Sequence, residues 1–178
     1  MKIRQCHLPD RKFVFKLMKS VNLADSIKQH SIKVAMKALE IVDKINTPNI
    51  DRKLVEIGGL LHDIGRSKTH GFDHGLIGSQ ILKEIGLSQK LSRICETHML
   101  GGLDINEAKE LELPEKNYLP TSLEEKIICL ADKYLKGTKE VSIDERFEHW
   151  FDKYENSEIL KRSKIRIINI ENEIKKLI

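Results

Sequence analysis

The sequence has 178 residues, 33% of them charged and 5% aromatic, a formal net charge of +4, and three cysteines. That length suffices for a single domain with a core of its own, and the mild positive charge permits an anionic ligand without demanding nucleic acid. No apolar run reaches about 18 residues, no apolar segment follows the N-terminal charges, and Cys6, Cys95 and Cys129 show no CxxC spacing, so neither a membrane span, a secretory signal nor a disulfide framework is expected, and reduced thiols in a cytoplasmic protein are.

Residues 1–20 carry Lys2, Arg4, Arg11, Lys12, Lys16 and Lys19 against Asp10 alone. Phe13, Leu17 and Val21 recur at helical spacing, which predicts a short amphipathic helix after Pro9 with a solvated basic face. From Ala24 to Ile45 the stripe Ile27, Ser31, Val34, Ala38, Ile41 and Ile45 predicts a second helix, with His30 at the edge of its buried face. Asn46-Thr47-Pro48-Asn49 reads as a turn. Asp51 caps a third helix with Leu54, Ile57, Leu61 and Ile64 buried. Gly58 and Gly59 inside it cost about 1 kcal/mol each relative to alanine, a cost offset if a neighbouring helix, such as the one carrying His30, approaches closely there. This helix delivers His62 and Asp63 and is expected to break at Gly65.

Ser67 to Phe72 reads as a polar loop. Asp73 caps a fourth helix in which His74 heads the stripe Ile77, Ile81 and Ile85, and Gly86 ends it. Ser88 caps a fifth helix burying Leu91, Ile94 and Cys95, with His98 on the same face and Gly101-Gly102 closing it. Asp104 to Leu113 predicts a short acidic helix, and Pro114 to Pro120 a loop. Thr121-Ser122-Leu123-Glu124 predicts a capping box before a helix burying Leu123, Ile127, Ile128, Ala131 and Leu135. Asp132 falls beside that apolar face, where an unpaired carboxylate would cost several kcal/mol, so it needs a partner. Residues 142–178 read as helical with a break near Asn156-Ser157, and Leu160, Ile167, Ile170, Ile174 and Leu177 form a stripe that either covers the core or pairs two chains as a homodimer.

His30, His62, Asp63, His74, His98 and Asp132 thus share buried faces or helix ends. Imidazole with carboxylate is a donor set for a divalent ion. His70 on a polar loop, His7 and His149 fall outside the pattern and read as surface residues.

The order His30, His62-Asp63, His74, His98, Asp132, set in Gly59-Leu60-Leu61-His62-Asp63-Ile64-Gly65, His74-Gly75-Leu76-Ile77-Gly78 and Leu130-Ala131-Asp132-Lys133, resembles the HD phosphohydrolase superfamily. The resemblance covers Ile27 to Gly137. It is closest to small archaeal HD-domain proteins and is similar, in its two extra histidines, to HD-type hydrolases of diadenosine tetraphosphate, with a much shorter loop between Asp63 and His74. It implies one all-α domain over residues 1–178, an HD core over about 24–137 with a helical extension over about 142–178, and a metal site in a central cleft. It further implies that His30, His62, Asp63 and Asp132 hold a first ion, and that Asp63 bridges to a second held by His74 and His98. Iron, manganese, zinc, nickel, cobalt and magnesium all suit these donors.

The function expected is metal-dependent hydrolysis of a phosphate ester or anhydride, with Asp63 as shared ligand. Lys33, Arg66, Lys68 and Lys133 flank the site, and Arg66 and Lys133 are the better candidates for contacting phosphate. A small phosphorylated substrate, first of all a nucleotide, ranks ahead of RNA because no aromatic platform or long basic stripe is visible in the sequence. The alternatives are a non-catalytic nucleotide-binding HD regulatory module and a di-iron HD oxygenase, which uses the same six ligands.

Overall fold

The structure, a computed structural model, describes residues 8–47, 49–155 and 157–178. Cys6, His7, the first basic residues, Pro48 of the expected turn and Asn156 of the expected break lie outside them. The described residues form α1 (Arg11–Ser20), α2 (Asp25–Val42), α3 (Arg52–Leu61), α4 (His74–Glu84), α5 (Gln89–Thr97), α6 (Ile105–Glu110), α7 (Leu123–Lys133), α8 (Ile143–Lys153) and α9 (Glu158–Lys175), with one two-stranded hairpin, β1 (Leu135–Lys136) and β2 (Lys139–Glu140). The all-α expectation holds. One main core takes side chains from α1, α2, α3, α4, α5, α7, α8 and α9, and a smaller cluster around Leu103 and Tyr118 packs under the start of α9.

Helix starts follow the capping logic of the sequence. Asp10, Asp51, Ser88, Asp104, Ser122, Ser142 and Ser157 each accept a backbone N–H of the following first turn, satisfying donors that have no partner inside the helix. Before α7 the cap is one residue later than expected. Ser122, not Thr121, accepts from Glu125, and the Glu125 carboxylate in turn accepts the Thr121 N–H.

Two stripes are rotated from their predicted positions, and one predicted helical residue leaves its helix. In α1 the buried residues are Val14, Leu17 and Met18, and Phe13 is exposed. In α4 the buried face is His74, Gly75, Gly78, Ser79 and Leu82, because the two glycines let this face close onto its neighbours; Ile85 points to solvent. Leu135 leaves α7 and enters the hairpin, whose turn is made by Gly137 at φ +62°, a backbone state that glycine adopts without steric cost.

Close backbone approach positions the future site. A Cβ on Gly59 would lie 2.7 Å from the Ala35 Cα, so α3 and α2 meet there as their sequences require. Gly65 has a different role from the helix break expected of it. The α-helix has already ended at Leu61, and residues Ile64–Ser67 continue as a 3-10 turn. A Cβ on Gly65 would sit 1.9 Å from the His74 carbonyl oxygen. Its lack of a side chain lets the turn after Asp63 dock on the start of α4. Gly65→Ala is therefore expected to destabilise the fold by about 2 kcal/mol, read as a Tm lower by roughly 6 °C. An unchanged Tm in thermal unfolding would show that the two segments are free to separate.

Candidate metal centre

His30 projects from the second turn of α2, His62 and Asp63 follow the end of α3, His74 opens α4, His98 caps the end of α5, and Asp132 and Lys133 lie in the last turn of α7. All are buried. The turn after His98 is held from behind. Leu100, Gly101 and Gly102 all have positive φ, and α9 fixes this loop by donating from Ser163 Oγ to the Leu100 carbonyl at 2.7 Å and from Arg166 Nη1 to the Gly102 carbonyl at 2.6 Å.

The hydrogen bonds decide the imidazole tautomers. A carbonyl oxygen only accepts, so each ring must carry a proton on Nδ1. His30 donates to the Gly137 carbonyl at 2.7 Å, His62 to Gly59 at 2.7 Å, His74 to Gly71 at 2.7 Å and His98 to Cys95 at 2.8 Å. In each neutral ring Nε2 is left as a lone-pair donor, which is how outer partners prepare a histidine for a metal. The hairpin thus has a purpose that its short sequence did not reveal: it supplies the carbonyl that orients His30. Gly137 in a tight turn was the available signal.

The Nε2 atoms converge with two carboxylates. His30 Nε2 is 3.0 Å from Asp132 Oδ1, and His62 Nε2 is 3.8 Å from the same oxygen. Asp63 Oδ1 is 3.3 Å from both His74 Nε2 and His98 Nε2, while its Oδ2 lies 3.8 Å from His62 Nε2. Asp63 therefore faces both groups. Ligands about 2.1 Å from one ion lie roughly 3.0–3.4 Å from each other; the spacings of Asp132 with His30 and of Asp63 with His74 and His98 match this, and the two 3.8 Å spacings of His62 are slightly wider.

Two further observations test the fit. His74 Nε2 and His98 Nε2 are 3.1 Å apart, and with both Nδ1 atoms protonated this contact sets two lone pairs against each other and against Asp63 Oδ1. His62 Nε2 and Asp63 Oδ1 are buried with no hydrogen-bond partner among the described residues. Buried acceptors without donors are costly, and a shared cation satisfies all of them. The chemistry of the donors agrees. Burial pushes the His62 imidazole down to about 4 and lowers those of His74 and His98, keeping the rings neutral for ligation. Burial opposes charge on Asp63 and Asp132, yet the adjoining imidazoles with Arg66 and Lys133 hold both carboxyls well below their ordinary range. His30 is raised instead: burial works against its charge, but the Asp132 carboxylate outweighs it.

The site opens into a cavity of about 880 Å³. Arg66 and Lys133, expected to await phosphate, are already engaged. Arg66 Nε donates to Asp63 Oδ2 at 2.8 Å. Lys133 Nζ, itself buried, donates to the Asp132 carboxylate and to the His98 carbonyl. Both line the cavity while orienting its carboxylates. Lys33 and Lys68 are exposed and lie outside the cavity lining. His149 is on the surface as expected; His70 is exposed but borders the cavity mouth. Arg146, Trp150, Lys153 and Tyr154 of α8 and its C-terminal end, with Phe72 from the loop before α4, line the same cavity; none of them stood out in the sequence, so aromatic surface is present where none was expected.

The HD domain family model matches residues 27–137. An uncharacterized protein of Methanocaldococcus jannaschii is 42% identical over 160 residues, covering 87% of this chain and 91% of that relative. The tRNA (cytidine(56)-2'-O)-methyltransferase of Picrophilus torridus is 36% identical over 168 residues, covering 94% of this chain but 47% of the relative, so this chain spans about half of that protein. Among solved structures, the HD domain of the L. monocytogenes phosphodiesterase PgpH in complex with cyclic-di-AMP superposes with a TM-score of 0.56 at 20% identity, covering 89% of this chain and 96% of that one. That likeness is one of fold.

Proposed function

This chain belongs to the HD domain family, and on that footing we propose that it is a metal-dependent phosphohydrolase acting on a small phosphorylated substrate, first of all a nucleotide. The observation that carries the reading is the pair of acceptor groups joined by Asp63, each made of imidazole Nε2 atoms and a carboxylate at ligand spacing. His30, His62, Asp63 and Asp132 would hold one ion, and Asp63, His74 and His98 a second. Divalent ions held there supply acidified water at neutral pH and positive charge against phosphoryl oxygens.

The residues of the chain have their own parts. Asp63 ties the two groups together and is kept in place by Arg66. Lys133 holds Asp132 ionised and, by bonding to the His98 carbonyl, couples the two halves of the site. The remaining donors of Arg66 extend the positive field toward a phosphoryl group in the cavity. Among the described residues no helix is long and apolar enough to cross a membrane, and the charged cavity suits a water-borne anion.

A panel of phosphomonoesters, phosphodiesters and nucleotides, assayed with each candidate ion, tests the reading. Hydrolysis of at least one class that depends on added metal is expected; no hydrolysis of any class by metal-loaded protein would favour a nucleotide-binding module. RNA is a second reading, favoured by the tRNA methyltransferase relative, half of which this chain spans. It predicts RNA affinity that falls steeply with salt, whereas a small nucleotide makes few phosphate contacts and shows a shallow slope.

A further inference from the structure

Helix α8 lies outside residues 27–137, the segment matched by the family model. Its inner side buries Ile143 and Phe147 in the core. Arg146, Trp150, Lys153 and Tyr154 recur at four, three and one, which sets them along a neighbouring face, and all four line the same cavity as the metal centre.

The cations of this cavity divide into two sets. Arg66 and Lys133 are paired with Asp63 and Asp132. Among the lysines and arginines that line this cavity, Arg146 and Lys153 are the two that make no ion pair with the described residues. The Arg146 guanidinium stacks 4.5 Å from the centre of the Trp150 ring, and its Nε–H is buried without an acceptor. The same ring has the Lys133 ammonium at 5.7 Å. An aromatic face between two cations is favourable only while each keeps its charge compensated or solvated. Lys133 has Asp132; Arg146 has no ion-pair partner among the described residues.

We propose that Arg146 and Lys153 form a second anion subsite, so that the substrate is a nucleotide carrying at least two phosphoryl groups, one placed at the metal centre and the other at α8. This rests on the phosphohydrolase reading and narrows its substrate. Trp150, Tyr154 and Phe72 supply apolar surface for the base of such a nucleotide within the same cavity. A monophosphate can satisfy only one of the two sets of cations.

The test is calorimetric and uses the metal-loaded full chain with ligands blocked at the thio- or methylene-substituted position and checked by chromatography to be intact after titration: adenosine 5'-monothiophosphate, α,β-methylene ADP and β,γ-methylene ATP. At least one of the two longer ligands is expected to bind about 10–100-fold more tightly than the monothiophosphate, the range of a charge-assisted hydrogen bond or two. Arg146→Gln with Lys153→Gln is expected to erase that preference while metal content and Tm stay as in the wild type. Equal affinities for all three ligands in the wild type, or a preference that survives in the double variant, would overturn the subsite. The two claims fail separately. A chain that hydrolyses phosphate esters yet shows no preference loses the subsite and keeps the reaction. A chain that shows the preference and its loss, but hydrolyses nothing, keeps the subsite and loses the reaction.

Discussion

Replacing His62 and Asp63 together by alanine is expected to abolish metal retention and to lower hydrolysis by more than about 10³-fold. Mutating groups that only orient a ligand costs about 10–100-fold, and here two direct ligands would be lost. Asp63 is the more consequential of the two, since its oxygens lie within 3.3 Å of His74 and His98 and 3.8 Å of His62. Its loss also leaves the Arg66 guanidinium unpaired at the edge of the site. The fold is expected to persist, because both residues follow the last turn of α3 and the apolar face of that helix is untouched. Circular dichroism would establish folding, elemental analysis the metal, and the substrate panel the rate. A folded double variant with wild-type hydrolysis would remove these residues from the reaction.

Stripping the protein of divalent ions is expected to lower its Tm by on the order of 10 °C. An ion present at about a thousand times its dissociation constant stabilises the native state by about 4 kcal/mol, and each kcal/mol is worth roughly 2–4 °C in a chain of this size. The physical source is specific. Without a cation, the Nε2 atoms of His74 and His98 face each other at 3.1 Å beside the Asp63 carboxylate, and the buried acceptors at His62 and Asp63 go unsatisfied. Readdition of a bound ion should restore the Tm. A Tm indifferent to chelator and to added ions would mean that the cluster is satisfied by protons alone.

What could be read from the sequence, and what could not, follows from how local each feature is. His30, His62, Asp63, His74, His98 and Asp132 stood out because ionisable groups on apolar helix faces are costly there, a property visible in periodicity alone. Of the glycine pair in α3, Gly59 meets α2 at Ala35 as anticipated, whereas Gly58 makes room for Ile94 of α5 and Ile128 of α7. The roles of Arg66 and Lys133 depend on which carboxylate each meets after folding, and spacing cannot supply that. Gly65 looked like a helix stop because glycine commonly is one; its contact with the His74 carbonyl is a tertiary fact. The hairpin spans too few residues for a periodic signal, yet it orients His30. Residues 143–154 read only as helical in the sequence, since nothing in that stretch alone indicates that Arg146, Trp150, Lys153 and Tyr154 meet a cavity.

On the proposed reading, six buried side chains on five helices and their ends make one two-ion centre. Elemental analysis of divalent metal per chain, on wild type and on a His74→Ala, His98→Ala double variant reconstituted side by side, is the direct test. About two ions are expected in the wild type and about one in the variant, which keeps His30, His62, Asp63 and Asp132. No bound ion in the reconstituted wild type, or the same stoichiometry in both proteins, would rule out a two-ion centre.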